Sequence, residues 1–208
     1  TVDDALDVIQ EEATEDIEKM AAITPTDRPY MKTSVFETWK KRIPWLLFLM
    51  ISATFTSGII SSFEDALAAS VILTSFIPML MDTGGNAGSQ SSTTVIRGLS
   101  LGEIRYGDVL KIVTKESFVS LMCGATLAVA NFAKLMLIDR VSLLVAAVVC
   151  LTLVVVVLVS NIVGCTLPVL AKRVGFDPAV MASPLITTIV DAVALIIYFN
   201  IAKLLLGI

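Results

Sequence analysis

The chain has 208 residues, of which 56% are hydrophobic and 16% are charged, and its formal net charge is −4. This balance excludes an ordinary soluble domain and predicts an all-α membrane protein, because helices satisfy their own backbone polar groups in lipid. The sequence contains no histidine, the commonest transition-metal ligand and catalytic base. Its 3 cysteines lack CxxC spacing, so we expect small core residues rather than a disulfide or metal framework. Nucleic acid is not an expected partner.

The first predicted element is an amphipathic helix in VDDALDVIQEEATEDIEKM. Apolar residues recur at three-and-four spacing, and a dense set of acids between Asp3 and Glu18 forms a second stripe. Such density could attract divalent cations or keep a helix solvated. TPTDRP then breaks the helix, so residues 1–29 are predicted as a cytoplasmic unit and 30–208 as the membrane domain. Because the chain begins at Thr1 without a signal-peptide pattern, we expect the membrane part of a longer protein.

Five apolar segments follow, each long enough to span a bilayer, which takes about 20 helical residues. They are predicted at 43–63, from about Ala66 to the Gly84-Gly85 pair, and at 118–138, 142–170 and 178–206. Pro44 suits a first helical turn, and Pro78 is expected to interrupt the second segment. Five spans exclude a two-fold inverted repeat of whole helices within one chain. A symmetric pore would therefore need a second copy of the chain.

Basic residues indicate the orientation of these spans. With the amino end in the cytoplasm, the inner side receives Lys40, Lys41, Arg42, Arg97, Arg105, Lys111, Lys115, Lys172 and Arg173. The outer side keeps only Lys134, Arg140 and Lys203. The asymmetry predicts a cytoplasmic amino end and an extracellular or periplasmic carboxyl end.

The second segment ends in DTGGNAGSQSSTTVIRGL, whose glycines match neither a Walker loop nor a dinucleotide fingerprint. Two interpretations remain, and they can coexist. Gly84 and Gly88 could form a small-xxx-small contact that brings two helices together. Alternatively, Gly84, Gly85 and Asn86 break the helix so that its carbonyls line a wet cavity, which is the interpretation we favour.

A single carboxylate, Asp191, lies inside the apolar fifth segment. An intramembrane charge is costly and usually marks an ion path or a relay. Thr187 and Thr188 precede it by four and three residues, so they share its helix face, with Ser183 and Pro184 a turn below. A continuous water-exposed surface on this helix face is therefore expected. The alternative is a structural role, in which Asp191 is protonated and hydrogen-bonded to a neighbouring helix. Asn131 and Asn161 are expected to hydrogen-bond between helices.

PMLMDTGGNAGSQSSTTVIRGL and GFDPAVMASPLITTIVDAVALIIYF resemble the transmembrane domain of MgtE magnesium channels, related to the solute carrier 41 family. VDDALDVIQEEATEDI is similar to the end of their CBS domain and the connecting, or plug, helix. The resemblance covers essentially the whole chain. It implies a homodimer with five transmembrane helices per subunit and a pore at the two-fold axis, lined mainly by the second and fifth helices.

The resemblance also implies functional residues. Asp191 matches the pore aspartate, which holds hydrated Mg²⁺ together with its symmetry mate. Regulatory Mg²⁺ sites would involve the acids of the plug region, namely Asp4, Asp7, Glu12, Glu15 and Asp16. Pore-lining positions would be Gly84, Gly85, Asn86, Ser183, Pro184, Thr187 and Thr188.

The chemistry of the residues agrees with such a site, because Mg²⁺ keeps several waters and needs only one or two carboxylates. We predict a passive Mg²⁺ channel in the cell (inner) membrane, with lipid as its surroundings and cytoplasmic Mg²⁺ as its regulator, and no enzymatic activity. The main alternative is a proton- or sodium-coupled divalent cation transporter. An intramembrane aspartyl protease is a further alternative, and it needs two facing aspartates. The only other candidate, Asp82, is predicted at the cytoplasmic end of its segment, which argues against a protease. A non-conducting scaffold is the remaining alternative.

Overall fold

A computed structural model describes residues 2–26, 28–64, 68 and 70–207, with Tyr106 as backbone only. Six long α-helices occur in this part of the chain: α1 (Val2–Met20), α2 (Val35–Ser62), α3 (Ile77–Ser100), α4 (Val109–Lys134), α5 (Leu143–Arg173) and α6 (Ser183–Leu206). Short 3₁₀ turns at Tyr30–Lys32, Val71–Phe76, Tyr106–Asp108 and Pro178–Met181, and a π-turn at Leu135–Asp139, connect them. The predicted all-helical class is confirmed for these residues. The predicted start of the second segment near Ala66 lies outside them, as do the termini Thr1 and Ile208.

Four helical stretches in the described part are long and apolar enough to cross a membrane, namely Val35–Ser62, Val109–Asp139, Leu143–Arg173 and Pro178–Leu206. Helix α3 is not among them, because polar residues and glycines lower its hydropathy. It packs instead against α5 and α6, two of the helices that have the length and apolarity of membrane spans. Four of the five predicted spans thus have the expected length and apolarity. The second predicted span, which contains the start of α3, stays a prediction.

Two expectations about helix boundaries were wrong. Helix α2 begins at Val35 rather than beside Pro44, because the Ser34 hydroxyl accepts a hydrogen bond from the Glu37 amide and caps an earlier first turn. Helix α3 runs without a break through Gly84, Gly85 and Asn86. The irregular backbone lies before it, in the 3₁₀ turn Val71–Phe76, and Pro78 occupies the first turn of the helix, where its missing N–H costs nothing.

Helix α5 lies at the centre of the bundle and contacts α3, α4 and α6, whereas the main helix contact of α2 among the described residues is with α6. The α3–α5 contact is close because both helices present glycine: a Cβ on Gly164 would clash with the Gly88 carbonyl oxygen. A Cβ on Gly84 would lie 2.7 Å from Val156 Cγ1, and one on Gly88 3.0 Å from the Ser160 carbonyl oxygen. The small-xxx-small interpretation of Gly84 and Gly88 is therefore confirmed.

An aromatic and aliphatic core closes the end of the bundle where α3 begins and α6 ends. Tyr198 is fully buried, and its hydroxyl donates a 2.9 Å hydrogen bond to the Leu73 carbonyl oxygen in the 3₁₀ turn Val71–Phe76. Phe199 stacks on Phe63 beyond the end of α2, with ring centroids 4.6 Å apart. These contacts tie the irregular segment before α3 to α6, so the beginning of α3 is held in place.

The amino-terminal helix forms as predicted but lies outside the bundle. None of its described residues is buried, and its apolar stripe, including Leu6 and Ile9, is exposed. The segment that follows it attaches to α2: the Thr24 amide donates to the Lys41 carbonyl oxygen, and Lys41 Nζ donates to the Pro25 carbonyl oxygen. Helix α1 is therefore positioned by its carboxyl-terminal end.

Candidate functional site

Helices α3 and α6 run antiparallel, and polar side chains of both lie along the edge of their contact, a surface called here the α3–α6 groove. At one level, Gly85 faces Thr187, and a Cβ on this glycine would lie 2.9 Å from Thr187 Cγ2. One turn away, the hydroxyls of Ser89 and Ser183 lie 3.0 Å apart. Because the glycine carries no side chain, the two helices approach closely enough for their polar residues to face one another.

The carboxylates of Asp82 and Asp191 lie at the next level of the groove, close enough to interact electrostatically. Asp191 is half-buried on α6, whereas Asp82 is exposed on α3. Placing Asp82 at the cytoplasmic end of its segment was wrong, because α3 continues for a further 18 residues to Ser100. Two negative charges facing one another repel, and a cation between or beside them would remove that repulsion.

Hydroxyl groups continue the α6 wall from Asp191 towards the start of the helix. Thr187 and Thr188 both donate to the Pro184 carbonyl oxygen, at 3.0 and 2.9 Å. Pro184 lies in the first turn of α6, where its missing N–H costs nothing, and the two threonine hydroxyls bond back to its carbonyl as hydroxyls in helices often do. With their protons engaged, the threonine oxygens keep lone pairs that can accept hydrogen bonds from water or from an ion's hydration shell.

A polar stripe on α3 is exposed on the surface of this single chain. It consists of Asp82, Asn86, Gln90, Thr93 and Arg97, which follow one another at three-and-four spacing. Apolar residues of the same helix, such as Leu80, Val95 and Leu99, are buried against its neighbours. A stripe of this kind on a helix within a membrane domain must face water or another protein surface, since lipid tails offer it no hydrogen bonds.

The sequence interpretation missed Asp82 and Ser89 as members of the site. Asp82 was considered only as a partner in proteolysis, and Ser89 was not considered at all. The polar spacing of Asp82, Asn86 and Gln90 was the available signal, since it has the period of one helix face. That signal was obscured because the glycine cluster was interpreted as a break in the helix.

The acids predicted for regulation lie on α1, at the edge of the molecule. Asp4, Asp7 and Glu12 are exposed, whereas Glu15 and Asp16 are half-buried. Asp7, Glu11, Glu12, Glu15 and Glu18 line a cleft of about 610 Å³ between α1 and the segment that leads to Pro29. Within the described residues, no group of three or more acidic, cysteine or histidine side chains is close enough to hold a metal ion by itself. Binding there would have to be through water or shared with other ligands.

An ion pair connects α1 to the turn that precedes α6. Lys19 Nζ lies 2.6 Å from Asp177 Oδ2 and also pairs with Glu15. The other oxygen of Asp177 accepts the Ala179 amide at 2.9 Å and caps the 3₁₀ turn that precedes α6. The hydrogen bond to Asp177, and then that to Glu15, raises the pKa of Lys19 above its ordinary value. Burial acts to raise the pKa of Asp177, but the hydrogen bonds from Lys19 and the Ala179 amide outweigh it and hold this pKa below its ordinary value.

A bundle of apolar, membrane-length helices with a hydroxyl- and carboxylate-lined groove defines a helical membrane protein. The profile of the MgtE family, described as a divalent cation transporter, matches residues 77–201, which include both walls of the groove. The chain is 39% identical over 206 residues to the magnesium transporter MgtE of Thermus thermophilus, covering 99% of this chain and 45% of the relative.

Two further relatives bear the same name. The magnesium transporter MgtE of Bacillus subtilis is 37% identical, covering 97% of this chain and 44% of the relative. That of Enterococcus faecalis is 31% identical, covering 98% and 44%. The chain belongs to the MgtE family, and it spans slightly less than half the length of these curated relatives.

Proposed function

We propose that this chain forms the membrane pore of a Mg²⁺-selective channel, with the α3–α6 groove as one half of the pore. The observation that carries the proposal is the exposure of charged and polar side chains, Asp82, Asn86 and Gln90, on a helix packed within the membrane domain. Exposure to lipid would leave these groups without partners. A second copy of the chain, related by a two-fold axis, would close the groove into a water-filled path.

The chemistry of this half-pore suits a hydrated divalent cation. Mg²⁺ sheds its waters reluctantly and is usually held by one or two carboxylates, with other contacts made through water. Asp191, with its symmetry mate, supplies the charge, and the oxygens of Thr187 and Thr188 accept hydrogen bonds from the ion's waters. Asp82, which interacts electrostatically with Asp191, adds to the negative potential at the same level. The names of the relatives support magnesium as the transported ion.

We further infer that cytoplasmic Mg²⁺ regulates the channel through α1. Its acids line a cleft, and its Lys19 contacts Asp177 directly before α6. Mg²⁺ bound among Asp4, Asp7, Glu12, Glu15 and Asp16 would screen their repulsion and change how α1 rests against the start of α6. An ion shifts such an equilibrium only through tighter binding to one state. Ligands from the additional length that the relatives possess would complete these sites.

Mg²⁺ influx into proteoliposomes tests the pore. Asp191→Asn keeps the side-chain volume and removes one charge per chain, which at 4 Å from a unit charge is worth about 4 kcal/mol at an effective dielectric constant near 20. We expect at least about a hundredfold loss of Mg²⁺ influx, since 1.4 kcal/mol is a factor of ten. Asp191→Glu should be intermediate, and Asp82→Asn should lose less because Asp82 is exposed.

Glu103→Gln, which removes an exposed carboxylate in the α3–α4 connection, is the matched control and should conduct normally. Wild-type Mg²⁺ influx through correctly assembled Asp191→Asn protein would refute the pore assignment. It would instead favour the alternative of a protonated, structural aspartate.

A proton- or sodium-coupled divalent cation transporter is the second candidate, because a half-buried carboxylate beside a second one could carry a proton. The two mechanisms differ in driving force. A channel conducts Mg²⁺ down its own gradient without a pH or Na⁺ gradient, whereas a coupled transporter slows when that gradient is collapsed. Measuring Mg²⁺ influx with each gradient clamped decides between them.

A further inference from the structure

A second cavity lies on the other side of α3 from α6, between α3, α4 and α5, and polar side chains share its lining with apolar ones such as Val119, Met122 and Leu127. Its volume is about 770 Å³, and its lining includes Asn86 and Gln90 of α3, Glu116 and Cys123 of α4, and Asn161 of α5. Two of these three helices, α4 and α5, have the length and apolarity of membrane spans. Threonines at positions 83 and 94 of α3 also line it, so it extends for about 16 Å along that helix at 1.5 Å per residue.

Asn161, one of the residues that line the cavity, has a buried side-chain oxygen without a donor in the described part of the chain. Asn161 is 6% exposed, and no described residue donates a hydrogen bond to its Oδ1. Its backbone carbonyl oxygen accepts the Ser91 hydroxyl at 3.2 Å, so the residue is fixed in place while its side-chain oxygen stays unpaired. The expected role of Asn161 as a hydrogen-bonding link between helices is therefore not met at this atom. A buried acceptor of this kind costs about 1–3 kcal/mol unless water or a ligand donates to it.

The lining residues determine which charge and which hydration state a ligand in the cavity can have. Glu116 is the one ionisable carboxylate among its lining residues, and the other polar members are amides and hydroxyls, whose oxygens accept hydrogen bonds. A hydrated divalent cation supplies both a positive charge for Glu116 and water protons for the oxygens. Six waters occupy about 180 Å³ at about 30 Å³ each, so the whole hydrated ion fits with room to exchange.

We propose that this cavity is a second binding site for a hydrated divalent cation, with Glu116 as its charged ligand and Asn161 and Gln90 as acceptors for the ion's waters. Asn86 belongs both to the lining of the cavity and to the exposed stripe that begins at Asp82. An ion held here is therefore adjacent to the exposed polar stripe of α3. This inference rests on the proposed function for the identity of the ion, but its binding can be measured without transport.

Cys123 is a native reporter, because it is exposed and lines the cavity. The whole chain in detergent is treated with a small maleimide, and modification of each cysteine is followed by mass spectrometry while MgCl₂ replaces choline chloride at constant ionic strength. Mg²⁺ should slow the modification of Cys123. Cobalt(III) hexaammine, whose ligands do not exchange, should protect equally, because the site takes the ion with its inner shell intact. Modification of the half-buried Cys150, which does not line the cavity, should not change.

Glu116→Gln removes the charge and should raise the Mg²⁺ concentration for half-protection by about tenfold or more, since the ion loses its carboxylate ligand. Glu103→Gln, outside the cavity, should leave protection unchanged. In Asp191→Asn, Mg²⁺ should still protect Cys123 from modification although Mg²⁺ influx is lost. The binding site in the cavity and the proposed pore can therefore be tested independently. A Cys123 rate that is independent of Mg²⁺, or a Cys123 that stays unreactive under all conditions because protein or lipid fills the cavity, would overturn the proposal. Unchanged protection in Glu116→Gln would do the same.

Discussion

At the scale of single residues, glycine decides how closely the helices of the groove approach. Gly164 of α5 lies against the backbone of α3, where its missing Cβ leaves space that the Gly88 carbonyl oxygen occupies. Gly85 gives the same closeness to α6, at the level of Thr187. Backbone cannot move aside as the end of a flexible side chain can. A methyl group at Gly164 must therefore separate two helices, with consequences for the groove that α3 forms with α6.

Gly164→Ala should destabilise the protein by about 2 kcal/mol or more, since overpacking a close contact typically costs 1–3 kcal/mol. Gly58→Ala is the matched control: Gly58 is also inside a long helix, but a Cβ there meets nothing within 4 Å. Its stability should be unchanged or raised by up to about 1 kcal/mol, the usual gain of alanine over glycine in a helix. Thermal unfolding in detergent measures both. Equal midpoints for the two variants would contradict the packing assigned to Gly164.

At the scale of elements, the contact between α1 and the turn before α6 includes the ion pair between Lys19 and Asp177. Lys19 and Asp177 are partly exposed, at 25% and 36% of their side-chain surface, so water screens the pair and its contribution is about 1 kcal/mol or less. A contribution of that size is small for holding a whole helix in place. The weakness suits an element whose position is proposed to change with bound Mg²⁺.

Asp177→Asn should release the end of α1 and increase cleavage by trypsin after Lys19, because the Lys19 side chain is no longer engaged by Asp177. A severalfold faster cut is expected from about 1 kcal/mol, with cleavage after the exposed Lys32 as internal reference. Glu37→Gln, which removes the exposed Arg28–Glu37 pair instead, is the control and should leave the Lys19 rate unchanged. The same Lys19 rate in Asp177→Asn and the wild type would show that this ion pair does not hold α1.

The pH dependence of this attachment follows from the two pKa shifts. The pKa of Asp177 is lowered on folding, so its contribution is present above the ordinary carboxyl pKa and lost as pH falls through the folded value. The pKa of Lys19 is raised, so its contribution is complete below the ordinary lysine pKa and lost only as pH rises through the folded value. The attachment should therefore be constant across neutral pH and weaken in acid below about pH 4. Energy transfer between fluorophores on α1 and the α5–α6 turn would follow it, and a loss between pH 6 and 8 would contradict it.

At the scale of the whole molecule, the single chain exposes two different surfaces, one apolar and one polar. Helix α2 has no buried residue and exposes large apolar side chains along its length, as a lipid-facing helix or an interface does. Helix α3 instead exposes Asp82, Asn86 and Gln90. Both surfaces are consistent with the proposed homodimer, in which the α3 stripes face one another across the axis.

The proposed topology can be tested with single cysteines in a background without native cysteine. Cysteines at Glu103 and Val174, both exposed in connections on the proposed cytoplasmic side, should resist an impermeant thiol reagent added outside intact cells. One at Glu64, beyond the end of α2, should react. Gly102 and Gly175 are unsuitable, because their φ angles of 72° and 84° would strain any other residue. Labelling at position 103 from outside the cell would show that the chain has the opposite orientation.

The sequence by itself determined the helical class, the approximate extent of four spans, the family and the prominence of Asp191. Hydrophobicity and helix period are local properties, and an isolated carboxylate in an apolar segment is visible without any contact. Helix boundaries were partly missed, since the Ser34 cap and the 3₁₀ turn before Pro78 depend on local geometry that composition does not fix. Only the tertiary structure decided that Gly84, Gly85 and Asn86 lie in an unbroken helix, that Asp82 and Asp191 are close enough to interact electrostatically, and that Glu116 and Asn161 line one cavity. Each of these depends on the register of one helix against another, and packing over long sequence separations sets that register.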